Sequence, residues 1–476
     1  MIDTKAIRNK ILDLAVRGKL TEQLSEDGTA EELFRQIQAE KQALIKAGKI
    51  KKEKPLPEIN EEDIPFDIPS SWEWVRIIDI AYLTSGNQYP ELECGIPYVK
   101  VADMNLPENQ QEITTSSRYT NNENIGIIPI SSIIFPKRGG AILTNKKRLV
   151  IRCPIYIDSN TMAMTVYSSD ILLFIKWWFE SINLGDLYTG TSIPQVNNKD
   201  IYPMIVPLPP LAEQKRIVEK IEQAFSVLDI IDELQKKYAD NMTVLKSKLI
   251  DLAIRGKLTE QLPEDGTAEE LYQQIQAERE KQEKAGIIKT VELLPETEEL
   301  DDSFTIPSNW KWTTLGNVSF IVRGGSPRPI KEYITTREDG INWIKIGDVE
   351  KGGKYIYSTH EKIIPAGESK SRRVYPGDFL LTNSMSFGRP YISKIEGCIH
   401  DGWLLIHNLF GFDSDYLYYL LSSSYMCAQF TDKASGSTVE NLNIDKVKAA
   451  IIPLPPLAEQ KRIVEKLDEI FKFIES

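Results

Sequence analysis

The sequence predicts an α+β protein: two β-rich domains separated and flanked by long antiparallel helices that serve as coiled-coil spacers, with pseudo-two-fold symmetry from a circularly permuted repeat. Three observations carry this. Residues 10–48 recur at 248–286, with 27 of the 38 positions from Ile11 to Gly48 identical, and residues 206–225 recur at 452–471. Two segments of about 145 residues lie between the repeats, rich in β-branched and aromatic residues, Gly and Pro, with short alternating runs typical of strands. Leu211 to Arg255 contains no Gly or Pro, and its apolar residues fall three or four apart, from Val218, Ile221, Phe225 and Leu228 to Leu245, Leu249 and Leu252. That spacing makes one helix with a single stripe that a partner must bury.

Taken in order, the N-terminus predicts a helix over roughly 5–17 and another over Thr29–Ala47. The long helix starts after Pro209-Pro210, which cannot continue a helix backwards, and Glu213 sits in its first turn where the dipole favours a carboxylate. It stops at Gly256, and its 45 residues would span roughly 65 Å. Thr267 before Ala268-Glu269-Glu270 is a capping-box pattern opening a second helix to about Ala285, so a helical hairpin is the simplest outcome. The C-terminus repeats the earlier part of this central unit and the N-terminus the later part, so the two should meet and imitate the centre; residues 231–242 have no counterpart. The expected division is a helical region 1–62, a β-rich domain 63–207, a helical spacer 208–300, a second β-rich domain 301–453, and a C-terminal helix 454–476 that pairs with the N-terminal region.

The chain has 476 residues, 41% hydrophobic and 26% charged, with a net charge of −12. The acidity is unevenly placed: residues 66–207 carry 11 basic against 14 acidic residues and residues 303–453 carry 17 against 15. The rest therefore holds 29 against 40, which leaves the β-rich segments near neutral and free to gather cations on one face. Cys94, Cys153, Cys398 and Cys427 show no CxxC spacing, and the histidines are His360, His400 and His407. This argues against a Cys/His metal site and for a reducing compartment. The longest apolar run, Ile171–Phe179, is broken by Lys176 and too short to span a bilayer, so a cytoplasmic protein without membrane contact is expected.

The two β-rich segments are related. They begin Ile68-Pro69-Ser70-Ser71-Trp72-Glu73-Trp74 and Ile306-Pro307-Ser308-Asn309-Trp310-Lys311-Trp312, and each ends at the same junction, Leu208-Pro209-Pro210-Leu211-Ala212-Glu213-Gln214-Lys215-Arg216-Ile217-Val218 or its copy from Leu454 to Val464. This layout resembles the specificity subunit of type I restriction-modification enzymes over the whole chain. The resemblance implies no catalytic site. It implies that each β-rich target-recognition domain reads one half of a gapped double-stranded DNA target, while the helices set the gap. It also implies docking of two methyltransferase subunits, to which two restriction subunits can add. S-adenosylmethionine, ATP and Mg would belong to those partners, and neither cofactor nor metal to this chain. The residues agree with this reading: half-sites repeat with the roughly 34 Å helical turn, so a two-module reader needs a rigid spacer. A duplication also presents two similar surfaces to two identical partners.

Clustered cations are the expected footprint of a DNA reader. In the first domain Lys137, Arg138, Lys146, Lys147, Arg148 and Arg152 fall within sixteen residues free of acids, around Gly139-Gly140, where backbone can approach phosphate; the plainer reading is a solvated hairpin loop. In the second domain Arg323, Ser326 and Arg328 flank Gly324-Gly325, and Lys370, Arg372 and Arg373 form another cluster. Asn383, Ser384 and Arg389 form a third, with side chains suited to adenine and guanine edges. Each could instead cap a turn or pair with a carboxylate. The tryptophan pairs Trp72/Trp74 and Trp310/Trp312 are expected to pack each domain on its helix. Gln195, Asn197, Asn441 and Asn443 either face DNA or satisfy backbone at a turn.

Two other functional classes fit the sequence less well. An enzyme would need a motif, yet there is no GK[ST] phosphate loop, no Asn-Pro-Pro-aromatic sequence and no HExxH, and Glu368-Ser369-Lys370 is too short to signal a nuclease. A coiled-coil scaffold without DNA specificity explains the helices but leaves the different basic loops of two similar domains unexplained. If the long helix is a ruler, inserting about four residues, roughly 6 Å, lengthens the unread gap and keeps both half-sites. Mapping of the methylated motif checks this, and an unchanged gap would refute it.

Overall fold

The computed structural model describes residues 1–121, 125–187, 194–290, 292–295, 304–350, 352–383, 388–408, 412–432 and 442–475. They form two compact units, Met1–Lys236 and Lys237–Ser476. The helices that organise them are α1 (Thr4–Val16), α2 (Ala30–Lys46), α3 (Leu211–Ile254), α4 (Ala268–Lys284) and α5 (Leu457–Glu475), close to the sequence expectation. The division falls inside α3, within the stretch 231–242 that has no counterpart. Each unit therefore holds one copy of both repeated segments in the same order, and the circular permutation resolves into two direct copies joined through one helix.

In the first unit α1 runs antiparallel to the first part of α3. Ile2 N donates to Gln235 Oε1 (2.6 Å), Thr4 Oγ1 to Asp232 Oδ1 (2.5 Å) and Arg8 Nη2 to Asp229 (2.9 Å), so partners descend as residue number rises. The domain contains a four-stranded antiparallel sheet in the order Ala81–Ser85, Thr161–Val166, Ser132–Pro136, Arg148–Val150, and a three-stranded sheet in the order Tyr119–Thr120, Ile96–Val99, Tyr156–Ile157. Alternate side chains of Ser132–Pro136 enter two cores: Ile133 and Phe135 join the large core with the helices, and Ile134 a smaller one with Val99, Val150 and Ile157.

The second unit repeats this plan with longer sheets. One runs Ser319–Arg323, Trp403–Asn408, Phe379–Thr382, Pro390–Ser393, Tyr355–Ile356, and the other Ile334–Thr335, Glu361–Ile363, Ile341–Ile344, Gly397–Ile399, Arg372–Val374. Phe379 and Leu381 face the helical core and Leu380 the smaller one. The expected hairpin of α3 with α4 is corrected here. α4 docks on its domain, with Gln276 Nε2 donating to Asn317 O (2.9 Å) and Arg279 Nη2 to Gly316 O (2.6 Å). The helix beside the second part of α3 is α5, where Lys246 pairs with Glu475 and lies 5.5 Å from the Phe471 ring centroid. Arg8 makes the matching contact 5.2 Å from the Phe225 ring.

One polar clasp mounts each domain. A two-stranded ribbon joins the domain's entry to its exit, Glu73–Arg76 with Ile205–Leu208 and Lys311–Thr314 with Ile451–Leu454, in matching register. The exit then opens into α3 or α5, whose first-turn glutamate is buried. Trp72 Nε1 donates to Glu213 Oε2 (2.8 Å) while Thr21 Oγ1 (3.1 Å) and Gln23 Nε2 (2.8 Å) donate to Oε1. Trp310 Nε1 (2.7 Å) and Thr259 Oγ1 (3.1 Å) bind Glu459 likewise. Arg216 grips Asp27 and Arg462 grips Asp265 through two bonds each, of 2.5 and 2.6 Å. Gly18 and Gly256 have φ +66°, and a Cβ on either would come within 2.6 Å of the ring of Pro69 or Pro307. The two Trp-bearing loops are thus packed directly on the Arg-Gly-Lys turn; Trp72 and Trp310 fill the expected role against the helix, while Trp74 and Trp312 pack instead on Phe66 and Phe304 (centroids 5.1 Å each).

Hydrogen bonds to a charged acceptor contribute roughly 1.5–3 kcal/mol each, more when their loss leaves a buried donor alone. Glu213→Ala and Glu459→Ala are each expected to lower the unfolding free energy by about 3 kcal/mol. Urea unfolding followed by tryptophan fluorescence measures it, and a loss below about 1 kcal/mol, the scale of an ordinary substitution, would remove the clasp from its central place.

Candidate nucleic-acid interface

In the first domain, the Lys137-Arg138-Gly139-Gly140 turn leaves the buried strand Ser132–Pro136. Its backbone is fixed on both sides: Lys137 N donates to Asn160 O (2.8 Å), Val196 N to Lys137 O (2.9 Å) and Gly139 N to Pro194 O (2.8 Å). Gly139 has φ +79°, and neither Gly139 nor Gly140 has an atom within 4 Å of where a Cβ would stand, so the turn is open on its outer side. Arg138 bridges to Gln195, and Gln195 Nε2 donates to Asn197 Oδ1 (2.8 Å). Two candidates nearly sixty residues apart are thereby brought to one surface. Arg138 is exposed, and burial together with the Arg138 charge holds the Lys137 ammonium below its ordinary pKa.

Of the remaining cations of that cluster, Lys147 and Arg148 are buried. Lys147 is 1% exposed and donates to Asn145 Oδ1 (2.9 Å) and Ile182 O (2.7 Å). Arg148, 7% exposed, donates to the carbonyls of Lys147 (2.9 Å) and Met104 (3.1 Å). Both brace the domain interior instead of standing on its surface. The sequence pattern misled because Lys147-Arg148-Leu149-Val150 is a buried strand start, where long cationic side chains satisfy loop carbonyls. Lys146 binds Asn105, and Arg152 is held by Glu112 (2.5 and 2.8 Å).

In the second domain the clusters converge on the turn His400-Asp401-Gly402. Ser326 Oγ donates to Asp401 Oδ1 (2.9 Å), Arg328 Nη2 to Asp401 Oδ2 (3.0 Å) and Arg323 Nε to Asp401 O (3.4 Å). A Cβ on Gly325 would lie 2.9 Å from Lys370 O, so the second cluster adjoins the first. Lys370 Nζ reaches Tyr333 OH (2.5 Å), Arg372 is exposed, and Arg373 is tied to Glu396 (2.5 Å) and Glu368 (3.3 Å). Asn383 is fully buried, with its backbone N–H on Gly402 O (2.9 Å) and no side-chain partner among the described residues. Arg389 is exposed, and Ser384 lies outside the described residues, as does Asn441. Asn443 caps a short helix by accepting from Asp445 N (2.9 Å). Among the described residues, exposed candidate cations outside ion pairs include Arg138 in the first domain and Arg372 and Arg389 in the second, Arg372 Nη1 donating to Ser371 O (2.9 Å), with Arg323 and Arg328 exposed around Asp401. Lys331 and Lys345 line one hollow with Arg328, and Tyr333 accepts from Lys370; none of the three stands out in the sequence.

Among the described residues no group of three or more His, Cys, Asp or Glu could hold a metal, and no helix is long and apolar enough to cross a membrane.

Burial pushes the ammonium of Lys147 down to about 8, and that of Lys176 likewise. Their folded pKa lies below the unfolded one, so the penalty is full below pH 8 and fades as pH rises toward 10.5. Unfolding free energy of the first unit should therefore increase from pH 7.5 to 9.5, and Lys147→Met should flatten the rise while sparing DNA affinity. Urea titrations at each pH and a binding assay check both halves.

A family model described as type I restriction modification DNA specificity domain matches the chain twice, over residues 69–237 and 307–476. Similar curated proteins include the type I restriction enzyme EcoAI specificity subunit of Escherichia coli, 26% identical over 98% of this chain and 89% of that protein. The MjaVIII specificity subunit of Methanocaldococcus jannaschii is 24% identical over 86% of this chain and 88% of its own length. A solved chain from work on complex assembly and conformational transition of the type I R-M system superposes with a TM-score of 0.56 at 20% identity, covering 86% of this chain and 93% of that one, and shares its fold.

Proposed function

The chain belongs to the type I restriction modification DNA specificity family, and from that premise we propose that its two domains each read one half of a gapped duplex target, with the helices fixing the gap. It is a specificity subunit whose role is sequence-specific DNA recognition. One observation carries the finer reading: the same Glu–Trp clasp holds both domains, while the cations on their outer loops differ. A constant mount with different reading edges is what two independent half-sites require.

In this reading Lys137 and Arg138, with Gln195 and Asn197 beside them, contact DNA from the first domain. Lys146 lies at the margin of that surface. From the second domain Arg323, Ser326, Arg328, Lys370, Arg372, Arg373 and Arg389 do so, with Ser384 beside them in sequence. Asn383, being buried, positions its loop, and Lys147 and Arg148 support theirs. Arg138, Arg372 and Arg389 are the residues suited to guanine edges or phosphates. The chain itself is non-catalytic, and S-adenosylmethionine, ATP and Mg belong to its partner subunits in the cytoplasm, where the DNA is.

Partner docking has its own support. Ile7 and Val227 in the first unit are 39% and 57% exposed, and their repeat counterparts Leu245 and Phe473 in the second are 37% and 80% exposed. Partly exposed apolar side chains at equivalent helix positions of both units fit two copies of one modification subunit. Restriction subunits would then join through that assembly.

Genome-wide methylation mapping with and without the gene should reveal one bipartite motif that disappears with it. Lys137→Ala combined with Arg138→Ala should then relax or weaken one half-site, by about 10-fold or more, and leave the other unchanged. Equal loss at both halves would show that the cluster supports only general DNA affinity.

A further inference from the structure

The two recognition domains differ at one shared turn. Gly86 and Gly324 occupy the same place, since a Cβ on either would lie 2.1 Å from a backbone oxygen, of Asp158 or of His400. Three residues later the first domain has Tyr89 and the second Pro327. The Tyr89 ring lies against Tyr98 (centroids 5.5 Å, 87°) and Tyr156 (4.8 Å, 59°). Parallel strand pairing places Tyr98 opposite Tyr156 in the first domain, and Trp343 opposite Cys398 at the same position in the second. So where the first domain fills this place with its own aromatic ring, the second has lost two tyrosines.

A cavity of about 730 Å³ stands there in the second domain, lined by Trp343, His400, Pro327 and Pro329 with Lys345 and Ile330. That volume is within the range of small-ligand sites, roughly 300–1,000 Å³. Trp343, 2% exposed, backs the cavity from the core, its ring tilted against that of His400 with centroids 6.3 Å apart, and Gly402 N donates to His400 Nδ1 (2.8 Å). Burial lowers the His400 pKa, which keeps the imidazole a neutral flat surface. Exposed Arg328 and Lys331 also line the cavity, the former paired with Asp401 (3.0 Å). The flat His400 ring, with Pro329 and Ile330 around it and cations beside it, suits a planar ring attached to a phosphate.

We propose that this cavity receives one base of the bound DNA, swung out of the duplex, with its flanking phosphate held by Arg328 and Lys331. The proposal rests on the DNA-reading function above and deepens it. Extrusion costs pairing and stacking on the duplex side, and stacking in the cavity with the phosphate contacts offsets that cost. A partner's aromatic side chain would also be flat, but it carries no anion for the two cations.

The test uses the full chain in complex with its modification subunit and duplexes bearing the mapped target. Each base pair of the half-site read by the second domain is replaced in turn by a mismatch that keeps one original base. A mismatch removes the cost of unpairing, so at one position affinity should rise about 10-fold while the others weaken. Pro327→Tyr, which restores the first domain's residue, and Ile330→Trp, which fills the cavity from another wall, should each abolish that gain; melting curves confirm that the variants are folded. The proposal fails if every mismatch weakens binding although the matched target is still preferred over random DNA, and the reading function then stands. It also fails if Pro327→Tyr releases the modification subunit and leaves the mismatch response intact, because the cavity would then hold a protein side chain. No preference for the target over random DNA would overturn the reading function and this proposal together.

Discussion

A carboxylate at the first turn of a helix, sealed from water and bound by a tryptophan, is the constraint on which the rest of each unit depends. Glu213 and Glu459 are 1% and 0% exposed. Burial raises the pKa of Glu459, against hydrogen bonds from Trp310 and Thr259 that favour its charge. A buried carboxylate is costly unless its acceptors are filled, and here the donors come from two different parts of the chain: the turn after the first repeated helix and the loop that opens the recognition domain. Satisfying that one group therefore fixes the helix, the turn and the domain with respect to each other.

The clasp also explains why particular residues recur between the two units. Trp72 meets Glu213, Gly18 lies under Pro69, Arg216 meets Asp27, and the copies meet in the same way 246 or 238 residues later. Arg17 over Phe66 (4.4 Å) and Arg255 over Phe304 (4.6 Å) extend the match to the approach segments. The motifs that look like separate signatures along the chain are two sides of one interface. The recognition sheets lie beyond it and are free to differ, from strand number to the cations on their loops.

Buried cations separate the two roles a lysine or arginine can take. Lys147, Arg148 and Arg279 are 1%, 7% and 4% exposed, and each binds backbone carbonyls of its own domain. They hold loops in place. Arg138, Arg372 and Arg389 remain at the surface and are available to a phosphate or a base edge. Counting cations along the sequence cannot distinguish these groups, because an exposed turn and the start of a fully buried strand lie within twelve residues at 137–148.

The sequence by itself determined the helices, their ends, the repeat and the family resemblance, because those signals are local: helical spacing, a capping threonine at Thr267 that does accept from Glu270 N (3.3 Å), and glycines at helix ends. It also determined that Trp72 and Trp310 pack on the helices, since their positions repeat. Only the tertiary structure decided which helix lies beside which. α4 turns onto its domain because Arg279 and Gln276 find carbonyls there, and the second part of α3 is left to α5. Only the structure, too, gathered Arg138 with Gln195, and Arg323, Ser326 and Arg328 around Asp401, since such contacts join residues between 57 and 78 positions apart. A recognition surface is made by strand pairing between distant segments, and no local pattern records which side chains that pairing leaves outside.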